Sequence, residues 1–187
     1  VTLILFLPQA ADSKKRLLWL GHLLLLLLAA TAGFAQSKPL DDAGRRQRLK
    51  TQVNAMGTAF VKHDYASFVR FMHPDMVKMA GGPQAMAEEL RKGITGMEGQ
   101  GMKVRGVRYG EPSAVISTNN GELQCTVPQI TDMQLPSGGT TVKSTLIAFS
   151  ADKGQNWYFL DTSGKDADTV RQAFPQVSKA LKYSVAK

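Results

Sequence analysis

Cysteine is almost missing from this sequence: Cys125 is the one thiol in 187 residues. A single thiol forms no internal disulfide and builds no cysteine-based metal centre, so stability has to come from a packed core. Histidine is nearly as scarce, with three in all. Only His63 and His73 lie beyond the N-terminal region, ten residues apart and without the spacing that sets two imidazoles on one helix face. A metal site needs three or four convergent ligands, so none is expected. No glycine-rich phosphate loop, nucleophile elbow or paired-carboxylate motif occurs, and no cofactor is expected. Blocks of like charge are absent too. The formal net charge is +8, but it is spread along the chain, whereas nucleic-acid binding asks for a concentrated basic face.

What is there begins at the N-terminus. Lys14-Lys15-Arg16 precede "LLWLGHLLLLLLAATAGFA", Leu17 to Ala35, a run without a charged residue. A basic flank, a leucine-rich centre and the small-x-small ending Gly33-Phe34-Ala35 predict a signal peptide, residues 1–35, cleaved after Ala35. A retained anchor is the other reading, since about 19 apolar residues just span a bilayer. The small residues at its end and the lack of a basic stop-transfer flank favour cleavage. The stretch before Lys14, "VTLILFLPQAADS", is given no role. Cleavage would leave 152 residues with net charge +6, in a secreted or periplasmic location, with membrane contact only during export.

Polar residues 36–46, "QSKPLDDAGRR", predict a linker. From Gln47 the pattern is helical, with Leu49, Val53, Met56 and Phe60 on one face. Asp64 is placed to cap a second, short helix that turns Phe68, Phe71 and Met72 inward and ends at His73-Pro74. "MVKMAGG" reads as a short strand with Val77 and Met79 on one face. Gly81-Gly82-Pro83 then opens a third helix, with a Glu88–Lys92 pair and a stop at Gly93. Beyond residue 100 the pattern turns to sheet. "GMKVRGVRY" slips phase at Gly106, as at a bulge. Asn120-Gly121 marks a hairpin, and "PSGG" and "DKGQ" separate the later strands, giving a meander of four or five. Residues 166–187 predict a C-terminal helical extension broken at Pro175.

The element order, with "AFVKHDYASFVRFMHPDMVKMAGG" at the opening and "NWYFLDT" at the close, resembles the NTF2-like superfamily, including its SnoaL-like and ketosteroid isomerase-like members. The resemblance spans about residues 47–162 and implies a domain over 47–165. The implied fold is α+β and cone-shaped (cystatin-like), with three N-terminal helices packed on a curved antiparallel sheet. Such a cone encloses an apolar hollow, a natural pocket. It also implies a wide range of roles: isomerases, dehydratases, polyketide cyclases, epoxide hydrolases, and purely binding or assembly modules. Fold does not choose among them.

Ketosteroid isomerase-like members move a proton with an aspartate on the first strand and a tyrosine on the first helix. Matching the turn at Asp64 puts those positions at Met79 and Met56, neither of which exchanges protons. That favours a non-catalytic module that binds a small apolar ligand or a protein partner, with Met56, Phe60, Met79, Cys125 and Trp157 as expected lining. The enzyme alternative is a cofactor-independent isomerase, dehydratase or hydrolase. It would use His73 at the cone mouth, with Asp75 or Asp161 as orienter or in its own right. Trp157, Phe159 and Asp161 share a strand face, so burial would raise that carboxyl's pKa, while the competing reading has Asp161 solvated at the "DTSG" turn. Tyr109 and Tyr158 are ambiguous. A third alternative is a structural homodimer formed through the outer sheet face.

Overall fold

The computed structural model describes residues 40–162 and 164–183. The segment expected to be a signal peptide and the first four residues of the expected linker lie outside the described residues. Helix α1 (Asp42–Val61) starts where the Asp41 carboxylate accepts the Gly44 amide, earlier than the expected linker boundary. It buries Leu49, Val53 and Met56 on one side, the face read from their spacing. The Asp64 carboxylate accepts the Ser67 amide and opens α2 (Tyr65–Val69).

Residues expected to be a strand form a helix instead, α3 (Pro74–Met79). Pro74 sits in the first turn, where its missing N–H costs nothing, and the His73 ring accepts the Asp75 amide as an N-cap. Helix α4 (Pro83–Gly99) runs through the expected stop at Gly93 to Gly99. A side chain at Gly93 or Gly96 would meet nothing. Those glycines face open space, while Leu90, Ile94 and Met97 hold the helix against the domain.

The strands are β1 (Lys103–Tyr109), β2 (Ile116–Ser117), β3 (Leu123–Leu135), β4 (Gly138–Ser150) and β5 (Tyr158–Asp161). They form one antiparallel sheet in the order β1-β3-β4-β5, with β2 also on β3. The predicted bulge is there, as a register shift between Val104 and Gly106. The predicted hairpin is there too: Gly121 takes φ 81° in the turn from β2 to β3. A two-residue turn, Pro136-Ser137, joins β3 to β4 along their full length. β5 pairs only with Leu146–Phe149, so the first half of β4 is a sheet edge. The fold is α+β, with N-terminal helices packed on a curved antiparallel sheet, as the resemblance implies.

Two apolar clusters divide the sheet. On the helix-facing side Leu49, Val53 and Met56 pack with Cys125, Val127, Leu146, Trp157 and Phe159. Gln52 ties this layer to the β4–β5 turn, accepting the Trp157 amide at 2.7 Å and donating to the Gln155 carbonyl at 2.9 Å. On the outer side Ile147, Phe149 and Leu160 are covered by Val170, Phe174, Val177 and Leu181. These belong to the C-terminal extension, which among the described residues is helical only over α5 (Ala167–Ala173). Fully buried Gln124 fastens it, donating to the Gln176 carbonyl at 2.8 Å and accepting the Ser178 amide at 2.9 Å.

Replacing Gln124 by leucine keeps the volume but strands both backbone partners. The expected cost is about 1–3 kcal/mol in chemical denaturation, with faster amide exchange at Ser178. Unchanged exchange there would mean that apolar packing alone holds the extension.

Candidate functional site

Helices and sheet enclose a cavity of about 320 Å³. Its floor is α1, through Met56 and Phe60, together with Phe68 of α2 and Met72 just beyond it. One wall is α4, whose Leu90, Ile94 and Met97 recur at helical spacing. Opposite stand alternate residues of the strands: Val107 and Tyr109 of β1, Gln129, Thr131 and Met133 of β3, Leu146 of β4, and Phe159 and Asp161 of β5. Alternation along a strand sends every second side chain to the same face, which is why these positions are two apart. Four of the lining side chains are methionines, adaptable in shape and polarizable.

Polar groups gather across the sheet from β1 through β3 and β4 to β5. The Gln129 amide donates to Asp161 at 3.2 Å and to the Ser144 hydroxyl at 3.0 Å. Tyr109 lies close enough to feel the Asp161 charge. Burial first, and that charge second, push its pKa well above the usual phenol value, so the hydroxyl keeps its proton. Tyr109 also reaches α1. A Cβ built on Gly57 would come within 2.7 Å of the Tyr109 hydroxyl oxygen, so the missing side chain at Gly57 makes room for the phenol.

The expected lining residues separate. Met56 and Phe60 line the cavity. Met79 does not: on α3 rather than on a strand it is 66% exposed. Cys125 and Trp157 are in the helix-facing core but are not among the residues lining the cavity. Burial drives the Cys125 thiol up to about 12, which leaves it a packed, protonated group.

The expected catalytic candidates separate as well. Asp161 is on the cavity wall, on the same strand face as Phe159. His73 is not at a cone mouth. The chain is extended at Met72–His73, where the His73 amide donates to the Phe159 carbonyl at 3.0 Å. Successive side chains of an extended segment leave on opposite sides. Met72 therefore enters the cavity while the His73 ring packs edge-on against Phe149 and Phe174 of the outer cluster, 4.5 and 5.9 Å between centroids. Burial lowers its pKa, with the Asp75 and Glu122 charges opposing. Asp75 is beside it, accepting from the Gln176 amide at 3.0 Å. Both residues serve the junction with the C-terminal extension.

His63 is exposed at the end of α1, with φ 61° and its ring over Tyr65. Among the described residues no group of three or more His, Cys, Asp or Glu side chains is placed to hold a metal ion, and no helix is long and apolar enough to cross a membrane. Tyr109 and Gln129 are polar site residues to which sequence reasoning gave no role. The signal for Tyr109 was its phase after the Gly106 bulge, which turns it to the same face as Val107.

No family model matches the sequence, and no curated protein matches it. Among solved structures, one from Catenulispora acidiphila at 2.5 Å is 11% identical with a TM-score of 0.43, covering 66% of this chain and 93% of that one. Aln2 from a Streptomyces species is 11% identical with a TM-score of 0.41, covering 73% and 99%. A Catenulispora acidiphila structure in complex with S-DNPA is 11% identical with a TM-score of 0.42, covering 69% and 98%. Likenesses this distant say nothing of activity.

Two outcomes test this geometry. A histidine whose folded pKa is lowered supports folding fully above its unfolded value, about 6.5, and progressively less as pH falls through the folded value. Stability should therefore drop on acidification through that window. The drop should shrink in His73→Asn, which keeps a capping acceptor but does not titrate. Equal pH profiles would refute the burial argument. In Gly57→Ala, overpacking against Tyr109 should outweigh the gain in helix propensity, for a net loss of about 1 kcal/mol in urea denaturation. A variant as stable as the parent would mean that the phenol moves aside at no cost.

Proposed function

We propose that this chain is an exported domain that holds a small, largely apolar ligand between its helices and its sheet and does no chemistry on it. The observation that carries the reading is the cavity. Its 320 Å³ is at the small end of the range for ligand sites, and its mostly apolar wall with a few convergent polar groups is what such sites use. The export part of the reading rests on residues 14–35 of the sequence alone, and N-terminal sequencing of the protein from its own source should begin at Gln36.

One specific observation favours the enzyme alternative. The argument from an absent proton-transfer pair used Met56 and Met79, and Met79 is exposed on a helix away from the hollow. A carboxylate and a phenol, Asp161 and Tyr109, do line it. A proton could move between Asp161 and a substrate there, with Tyr109 donating to developing negative charge, which is the chemistry of a cofactor-independent isomerase or dehydratase. The homodimer alternative loses part of its surface, because the C-terminal extension covers Ile147, Phe149 and Leu160 on the outer face.

Native mass spectrometry of the protein purified from its own source should report one small molecule per chain. In Ile94→Trp, the larger ring fills the cavity, and binding of the neutral dye Nile red should fall about tenfold, the equivalent of about 1.4 kcal/mol. Equal dye binding by the variant and the parent would sink the cavity as the site. Turnover of a captured molecule, lost in Asp161→Asn, would replace the binding reading by the enzymatic one.

A further inference from the structure

A second concave surface lies outside the cavity, an open groove where α2, α3, β5 and the start of α4 meet. Helix α3 contributes Pro74, Val77 and Lys78, which the helical repeat sets on one face. Asp75 is off that face, and its carboxylate accepts from Gln176 of the C-terminal extension. Val69 and Arg70 come from the end of α2, and Tyr158 from β5. Gly81 and Gly82, at φ 86° and 106°, turn the chain into α4 and add no side chain to the groove. Apart from Arg70, Lys78 and the Tyr158 hydroxyl, its side chains are apolar.

The charge on this groove is of one sign. Arg70 and Lys78 are exposed on it, and its described lining holds no carboxylate. Neither cation makes a hydrogen bond or ion pair with another described residue, whereas Arg91, Arg108 and Arg171 each hold a carboxylate. Asp64 feels the charge of Arg70, but it lies outside the groove lining and its carboxylate accepts the Ser67 amide at 3.1 Å. All three polar side chains of the groove can donate a hydrogen bond, and two of them carry positive charge.

We infer that the groove is a second binding site, for small organic anions: an apolar or aryl body lies along Val69, Val77 and Tyr158, and a carboxylate, sulfonate or phosphate meets Arg70 and Lys78. The site is separate from the cavity and stands whether or not the cavity holds a ligand. A neutral molecule of the same shape keeps the apolar contacts and loses the charge attraction, and a cation is repelled. The groove is open, so the ions stay partly hydrated and the ligand binds weakly and exchanges readily.

The test is a fluorescence titration with two dyes that share one aromatic body, anilinonaphthalene sulfonate and the uncharged phenylnaphthylamine. Arg70→Gln and Lys78→Gln should each weaken sulfonate binding about threefold, and the double variant about tenfold, with binding of the uncharged dye unchanged. Added salt should weaken the sulfonate alone. Lys103→Gln removes the same charge outside the groove, and Ile94→Trp fills the cavity; both should leave sulfonate binding as in the parent. The inference is overturned if the parent does not bind the sulfonate, or if the double variant binds it as tightly as the parent. It is overturned equally if Lys103→Gln weakens binding as much as Lys78→Gln, which would mean attraction by overall charge, or if Ile94→Trp abolishes binding, which would put the dye in the cavity.

Discussion

Five consecutive residues of β4, Leu146 to Ser150, are buried, and the rest of the domain is arranged around that fact. A strand that alternates between core and solvent needs cover on one side only; this one needs it on both. Helix α1 covers the side of Leu146 and Ala148, and the C-terminal extension covers the side of Ile147 and Phe149. Each cover needs its own attachment, because backbone polar groups beneath it must still be satisfied. Gln52 supplies one and Gln124 the other. Both are glutamines, each using its amide as donor and as acceptor across about fifty or more residues of chain.

The same division of the sheet sorts the polar side chains by role. Those that reach the helix-facing side beyond the packed core, Tyr109, Gln129 and Asp161, border open volume and are available to a ligand. Those on the outer side, His73, Gln124 and Asp75, are used to close a joint. Residue type does not distinguish the two groups. The sheet face does, and a shift of one residue in register would exchange them.

Much of this was legible in the sequence because it is local. The α1 face, the Asp64 cap, the Gly106 bulge, the Asn120-Gly121 turn and the shared face of Trp157, Phe159 and Asp161 all follow from spacing or turn chemistry. Residues 74–79 were misread because "MVKM" is too short to fix a period, and the decisive signal was Pro74 in a first turn with a histidine ahead of it. That error carried Met79 into the pocket, since its placement depended on a strand. His73 was misplaced for a different reason: its surroundings are made by Phe149 and Phe174, 76 and 101 positions away, and nothing near it in the chain announces them. The run "LIAF" in β4 was a usable sign that something covers both faces.

The outer cover has a consequence for synthesis. The β3–β4 hairpin closes through two residues and so forms at little entropic cost, whereas its cover, Val170 to Leu181, follows it in the chain and is made after it. Until that cover is made, the aromatic and branched side chains on the outer face of the finished hairpin have no lid, and a chaperone that meets the hairpin then finds that face open.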